Sequence, residues 1–141
     1  MHTGPVLYVV AAILVRPDGR FLIARKRSGK PMAGLWEFPG GKINEGEQAE
    51  QAISREIQEE LSLEITTCRL FCTYSYQKTD RTLHFTFFTC KFKEKEVALT
   101  DHDAVAWITP GELIEYEIAP ADQIAASMIL QSPEGLADDQ L

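Results

Sequence analysis

The apolar and polar positions at the start of the chain follow the pattern of a β-hairpin. Residues 7–15 form a continuous apolar run, which is typical of a buried strand and too short to span a membrane. Asp18-Gly19 follows, and this dipeptide favours a tight turn because it tolerates the backbone angles that the turn requires. Residues 21–25 are therefore predicted to return as a second strand. Residues 36–38 are predicted to be a short extended piece, which Pro39-Gly40-Gly41 should break.

The rest of the chain changes from a helical to a strand-like pattern and back. Residues 48–61 have a helical period without glycine or proline, so they predict a helix. Three strand-like segments follow, at residues 65–76 (as one strand or two), 83–92 and 104–108. Residues 119–130 predict a C-terminal helix with Pro120 in its first turn. This order predicts an α/β (α+β) fold in which helices pack against a central sheet.

Composition narrows the class of protein. With 141 residues, 45% of them hydrophobic and 25% charged, the chain is expected to form one globular domain over residues 1–141, with residues 132–141 as a flexible acidic tail. The formal net charge of −7 argues against a nucleic-acid polymer as partner, since polymer binding needs many cationic phosphate contacts. The three cysteines show no CxxC pairing, and the chain has no signal-like start and no membrane-length apolar run. These features favour the cytoplasm.

Acidic residues interrupt the face of the predicted helix that should be apolar. Glu56, Glu59 and Glu60 are spaced i, i+3 and i+4, so they share one helix face. Ile53 and Ile57 lie on or beside that face, which would normally be buried. Clustered carboxylates repel one another and resist desolvation. A bound divalent cation would remove both problems, and carboxylate oxygens suit Mg²⁺ or Mn²⁺.

The same acids belong to a longer motif. Gly41-x5-Glu47-x7-Arg55-Glu56-Ile57-x-Glu59-Glu60-x-Ser62-Leu63 resembles the Nudix box GX5EX7REUXEEXGU, where U is aliphatic. The one departure is Ser62, where the family has a glycine. The flanking stretches at residues 36–42 and 119–122 also resemble the MutT-like branch of the Nudix hydrolases, which includes 8-oxo-dGTP diphosphatases and CTP pyrophosphohydrolases. The resemblance implies the Nudix fold, with a mixed β-sheet sandwiched between helices.

The resemblance implies metal-binding and catalytic roles for the box. The expected ligands of Mg²⁺ (or Mn²⁺) are Gly40, Gly41, Glu56, Glu59 and Glu60. The expected catalytic residues are Arg55, Glu56 and Glu59. Arg55 would orient the carboxylates, because its planar fork can bind one of them bidentately. Glu56 is the first choice as general base.

Two positions around the box leave alternatives open. Glu47 is either part of the Nudix motif or a simple helix-capping partner of Asn44. MutT-like enzymes also carry a glutamate just before the tryptophan of a late strand, whereas this chain has Ala106 before Trp107. Asp101 or Asp103 could replace it, or the role could be missing.

The same comparison implies a substrate site. The expected substrate-binding residues are Arg25, Lys26, Glu37, Phe38, Lys42, Tyr74 and Asp122. The basic members would contact phosphates, and the aromatic members would line a base pocket, although aromatic residues also commonly build cores. Asp122 occupies a position where relatives of the MutT branch read the base. As an alternative, it is simply an acid favoured by the start of a helix.

Together these features predict an enzyme. The expected reaction is metal-dependent hydrolysis of nucleoside triphosphates, oxidised, modified or CTP-like, to the monophosphate and pyrophosphate, in sanitation of the nucleotide pool. The expected partner is this small-molecule nucleotide, without nucleic acid or membrane, for a monomer or homodimer. Two alternatives remain. One is hydrolysis of another nucleoside-diphosphate-linked metabolite, and the other is a non-catalytic nucleotide-binding Nudix module.

Overall fold

A computed structural model describes residues 4–136. Its strands are β1 Val6–Leu14, β2 Phe21–Lys26, β3 Trp36–Glu37, β4 Gly40–Lys42, β5 Ile65–Gln77, β6 Thr82–Phe92 and β7 His102–Ile108. The α-helices are α1 Ala49–Leu61 and α2 Gln123–Gln131, and short 3₁₀ helices cover Pro110–Glu115, Pro120–Asp122 and Pro133–Leu136. Within the described residues, no helix combines the length and apolar character needed to cross a bilayer.

The strands form two sheets, and the turn between β1 and β2 connects one sheet to the other. The larger sheet has the order β4-β1-β6-β5, and the smaller has the order β3-β2-β7. β1 pairs with β6 in parallel and with β4 antiparallel, so the larger sheet is mixed. β1 occupies an inner position of that sheet, which is why its apolar run is continuous rather than alternating.

Two apolar cores lie on opposite faces of β1. Ala11 and Ile13 belong to a core that includes residues of α2, whereas Val10, Ala12 and Leu14 belong to a core beneath α1. A sheet covered by a helix on each face is the architecture that the Nudix resemblance implies. The α+β fold class is therefore confirmed.

The segment predicted to break the chain at Pro39-Gly40-Gly41 instead starts a strand. β4 pairs with β1 so closely that a Cβ at Gly40 would overlap the carbonyl of Val10. Only glycine permits this approach. The pairing holds the turn before α1 against the centre of the sheet, and hence fixes where the acidic face of α1 begins.

The C-terminal region departs from its predicted boundaries. The helix expected over residues 119–130 begins as a 3₁₀ turn at Pro120–Asp122 and becomes α-helical only at Gln123. The side chain of Asp122 accepts a hydrogen bond from the backbone of Phe38, which lies between β3 and β4. The flexible tail expected from residue 132 starts with an ordered 3₁₀ turn, Pro133–Leu136, in which Leu136 is buried. Residues 137–141 lie outside the described part.

Candidate active site

The acidic face of α1 lies against β4 at Glu56 and is most buried at Glu60. Glu60 is only 5% exposed, and the side chains of Glu56 and Glu59 are 17% and 59% exposed. The face therefore runs from the core to solvent. The carboxylate of Glu56 fills the space beside Gly41, where any Cβ would overlap it. Glycine at this position is a requirement of packing, since it lets the backbone lie against a carboxylate.

Arg55 joins the acids into one network. Its Nη1 donates to Oε1 of Glu56 at 2.8 Å and to Oε1 of Glu59 at 3.0 Å. Its Nε and Nη2 bind the two oxygens of Glu47 at 2.7 and 3.0 Å. Nη2 also donates to the carbonyl of Lys42 at 3.0 Å. The guanidinium thus connects α1 to the turn before it and to β4.

Glu47 has both of the contacts that the sequence left as alternatives. Its Oε1 accepts a hydrogen bond from the backbone N–H of Asn44 at 2.9 Å, and both of its oxygens face Arg55. The hydrogen bond from Arg55 lowers the pKa of Glu47 to about 2. The helix start itself is capped by the next residue, because Gln48 N–H donates to Oε1 of Gln51 at 2.8 Å.

Glu60 is an acid in an environment that disfavours its charge. Burial raises the pKa of Glu60 far above its usual range, and a hydrogen bond to Glu56 and the negative charges of Glu56, Glu37 and Asp101 raise it further. The charged form of Glu60 is therefore disfavoured beside Glu56. A divalent cation bound between the two carboxyls would offset this unfavourable negative charge.

The carboxyl oxygens of Glu56 and Glu60 suit a divalent cation. The full predicted set of Glu56, Glu59 and Glu60 does not converge in the structure. Within residues 4–136, no three acid, imidazole or thiol side chains converge closely enough to form a ready metal cluster. Glu59 lies at the solvent side and binds Arg55, whereas Glu56 lies against Gly41 and adjoins Glu60. Buried oxygen donors with surplus negative charge are what Mg²⁺ and Mn²⁺ prefer.

A cavity of about 260 Å³ opens next to the acid pair. Its walls come from β1, the segment from Glu37 to Gly41, the end of β5, the start of β6 and the turn before α2. Four of the predicted substrate-binding residues line it: Lys26, Glu37, Phe38 and Asp122. Gly40 and Gly41 also line it, so the cavity and the acid pair share the same stretch of backbone.

Asp122 and Phe38 connect the base of this cavity to the sheet. The backbone N–H of Phe38 donates to Oδ2 of Asp122 at 2.8 Å across 84 residues of sequence. Burial raises the pKa of Asp122 to about 8, and the negative charge of Glu37 adds to the rise. Asp122 therefore carries a proton at neutral pH and can act as either donor or acceptor.

Glu37 has two cationic or donor partners at the rim of the cavity. Oε2 of Glu37 lies 2.8 Å from Nε2 of His102 and 3.5 Å from Nζ of Lys26. The sequence singled out Lys26 and Glu37, and it missed His102. No local signal marks His102, because its partner is 65 residues away.

The remaining predicted substrate residues do not reach the cavity wall. Arg25 pairs with Asp103 at 2.7 Å and lies over the ring of Trp36. Tyr74 stacks in the core on Phe87 and supports the cavity from behind, since its hydroxyl donates to the carbonyl of Ala121 at 2.7 Å.

Lys42 and Ala106 are two further positions near the acidic motif that the sequence singled out. Lys42 supplies its carbonyl to Arg55, and its side chain is exposed. Ala106 packs against the core of α2. Of the two acids that could replace a glutamate there, Asp103 is bound to Arg25, and Asp101 lies 3.6 Å from Lys30 and contributes to the raised pKa of Glu60.

Comparison with known proteins gives a family and several relatives. The model of the NUDIX domain matches residues 6–131. The chain is 35% identical over 117 residues to the CTP pyrophosphohydrolase of Escherichia coli K12, covering 83% of this chain and 86% of that protein. It is 37% identical over 82 residues to the 8-oxo-dGTP diphosphatase of Proteus vulgaris, covering 58% of this chain and 73% of that protein.

Solved structures show the same architecture. The solution structure of the E. coli ORF135 protein superposes with a TM-score of 0.81 at 32% identity, covering 92% of each chain. The crystal structure of a MutT NUDIX hydrolase from Burkholderia pseudomallei superposes with a TM-score of 0.78 at 27% identity, covering 88% of this chain and 98% of that one.

Proposed function

This chain belongs to the NUDIX domain family, and on that ground we propose that it hydrolyses nucleoside triphosphates to the monophosphate and pyrophosphate in the presence of Mg²⁺ or Mn²⁺. It is a hydrolase of phosphorus anhydrides of the MutT type. The observation that carries the finer proposal is the position of Gly41, which lines the cavity and lies against the carboxylate of Glu56. A nucleotide in the cavity would therefore have its phosphates beside the metal site.

We assign the metal to Glu56 and Glu60, with Glu59 as the outer carboxylate and the backbone at Gly40 and Gly41 as a further oxygen source. When bound, a dication would offset the phosphate charge and lower the pKa of a coordinated water. The protein's part is to hold these donors in place. Arg55 does so by binding Glu56 and Glu59 through one nitrogen.

Glu56 is the residue to which we assign the general-base role. Its Oε1 is held by Arg55, whereas its Oε2 is the atom nearest to where a Cβ of Gly41 would lie. An oxygen fixed in direction beside a residue of the cavity wall can accept the proton of an attacking water. Arg55 cannot take this role, because a guanidinium stays protonated.

Recognition of the nucleoside is assigned to the far part of the cavity. Phe38 offers an apolar wall, Glu37 offers carboxyl oxygens, and Asp122 offers a carboxyl whose raised pKa favours the protonated form. Such a set suits a base with an exocyclic amino group, since both donors and acceptors are available. The likeness to a CTP pyrophosphohydrolase and to 8-oxo-dGTP diphosphatases favours CTP-like or oxidised guanine nucleotides. We place the enzyme in the cytoplasm, where its cysteines would stay reduced.

A substrate panel tests the proposal. Purified protein with Mg²⁺ is incubated with CTP, dCTP, 8-oxo-dGTP, an ADP-sugar and a dinucleoside polyphosphate, and phosphate and pyrophosphate are measured separately. We expect pyrophosphate from at least one triphosphate and none after chelation. Release of no pyrophosphate from any triphosphate would overturn the proposal.

Matched variants separate the acid pair from general charge effects. Glu56→Gln should lower turnover by orders of magnitude, because it removes the assigned base and one metal ligand. Glu50→Gln is the control, since Glu50 is an exposed acid of the same helix outside the network. Its turnover should equal that of the wild type.

A further inference from the structure

His102 lies behind the cavity and reaches it only through Glu37. Its side chain is 0% exposed, and it is absent from the residues that line the cavity. Its Nε2 lies 2.8 Å from Oε2 of Glu37. Because a carboxylate oxygen only accepts hydrogen bonds, Nε2 carries the proton and donates.

The two oxygens of Glu37 are used differently. His102 and Lys26 both face Oε2. Oε1 accepts no hydrogen bond from the described part of the chain, and Glu37 lines the cavity. The contacts therefore fix one oxygen and leave the other as an oriented acceptor for a ligand.

Of the two partners, His102 is the one that sets direction. The ammonium of Lys26 is a point charge on a flexible stem at 3.5 Å, which attracts a carboxylate without fixing its rotation. The imidazole is rigid and buried, and its Nε2 lies within normal hydrogen-bond distance of Oε2 of Glu37.

Packing alone does not explain why a histidine is buried at position 102. Its second ring nitrogen, Nδ1, is buried and finds no hydrogen-bond partner among residues 4–136. An apolar side chain at this point of β7 would avoid leaving a buried polar atom unpaired. The contact with Glu37 is the polar interaction that accounts for a histidine here.

We propose that His102 is a positioning residue that holds the carboxylate of Glu37 so that Oε1 accepts a hydrogen bond from an N–H or O–H group on the nucleoside part of the substrate. This inference rests on the proposed function, because its ligand is the nucleotide of that reaction. His102 touches neither the acid pair nor the reacting phosphates, so it acts on binding rather than on the chemical step.

Two substitutions of similar size distinguish this role from a packing role. The side-chain amide of glutamine can place an N–H where Nε2 of histidine lies, whereas that of asparagine reaches only as far as Nδ1. His102→Asn should raise KM for CTP or 8-oxo-dGTP about tenfold, the effect of one lost directed hydrogen bond, with kcat within about twofold. His102→Gln should restore KM to within about threefold of the wild type.

A double-mutant cycle tests whether the effect passes through Glu37. Once Glu37→Ala has removed the carboxylate, adding His102→Asn should change KM no further, because the interaction is already absent. Calorimetric binding of the α,β-methylene analogue of CTP gives the dissociation constant directly and should follow KM. Circular dichroism and urea unfolding establish whether each variant is folded. If His102→Asn does not fold, His102→Gln and Glu37→Ala provide the comparison with the wild type.

The outcomes separate the inference from the proposed function. An unchanged KM in His102→Asn, a fall in kcat alone, or additive effects in the cycle would each overturn the positioning role while wild-type hydrolysis still stands. If the wild type neither binds nor hydrolyses the nucleotides, the proposed function fails and this inference fails with it.

Discussion

At the scale of single residues, Arg55 determines the arrangement of the acids. It binds Glu47, Glu56 and Glu59 and one backbone carbonyl at the same time. Its own pKa is raised further by the hydrogen bonds to Glu47 and Glu56, so it stays charged at any working pH. No other side chain offers several donors in a rigid plane.

Replacing Arg55 by lysine tests this role. Lysine keeps the charge but cannot reach three acids from one position, so the direction of Glu56 would be lost. We expect Arg55→Lys to lower kcat about 10–100-fold, as loss of a partner that orients ligands does. Arg69→Lys, at an arginine that binds the carbonyl of Gly135 instead, should leave kcat unchanged. Equal activity of Arg55→Lys and wild type would show that orientation of the acids does not depend on the fork.

Asp122 gives a prediction about pH. Burial raises its pKa from 3.8 to about 8, so the folded protein keeps a proton that the unfolded chain has lost. The free energy of unfolding should therefore decrease as the pH rises from about 4 to about 8. Asp122→Asn keeps the acceptor for Phe38 N–H but cannot ionise.

The comparison of the two proteins isolates this group. The stability of Asp122→Asn relative to the wild type, from urea unfolding at several pH values, should increase between pH 4 and pH 8. A difference that is flat over this range would mean that the carboxyl of Asp122 ionises in the folded state as it does in the unfolded chain.

At the scale of the elements, α1 ends at Ser62 in a left-handed backbone conformation. Ser62 adopts φ 58° and ψ 34°, and its N–H bonds to the carbonyl of Gln58. This is the left-handed helix end at which the Nudix motif has glycine. A serine there carries a steric cost that glycine avoids, because its Cβ crowds the following carbonyl.

Ser62→Gly should therefore stabilise the protein. We expect a gain of about 0.5–1 kcal/mol in the free energy of unfolding. Glycine relieves the steric strain of the left-handed conformation, but its greater flexibility in the unfolded chain offsets part of that gain. Ser62→Ala keeps the Cβ and should give no gain. Activity should not change in either variant, since Ser62 lies beyond the acids. A less stable Gly variant in urea unfolding would refute this account of the helix end.

At the scale of the whole molecule, the predictable parts are local ones. The helix over residues 48–61 follows from spacing within a single turn or two. The hairpin follows from one dipeptide between apolar runs. These features depend on neighbours in sequence, so the sequence alone was sufficient to predict them.

The parts that could not be predicted depend on distant pairs. The strand Gly40–Lys42 forms because it pairs with β1, and Gly40 is required because β1 lies too close for a Cβ. The contacts of Asp122 with Phe38 and of His102 with Glu37 span 84 and 65 residues. The placement of Arg25 away from the cavity follows from Asp103 on a neighbouring strand. None of these leaves a periodic signal.

The folded molecule brings Glu56, the buried Glu60, the strand β4 and the cavity to one region. Glu60 adjoins Glu56, and Glu59 stays at the solvent side. We propose that activity depends on a dication bound between these carboxylates, which would stabilise their negative charge. Without one, Glu60 would reduce stability, because a buried carboxylate is poorly solvated.

Calorimetric titration of Mn²⁺ into metal-free protein, with and without the α,β-methylene analogue of CTP, tests this dependence most directly. The wild type should take up metal, Glu56→Gln and Glu60→Gln should lose most of the affinity, and Glu59→Gln should keep more of it than either. Absence of any metal uptake by the wild type, both alone and with the nucleotide analogue, would contradict the account.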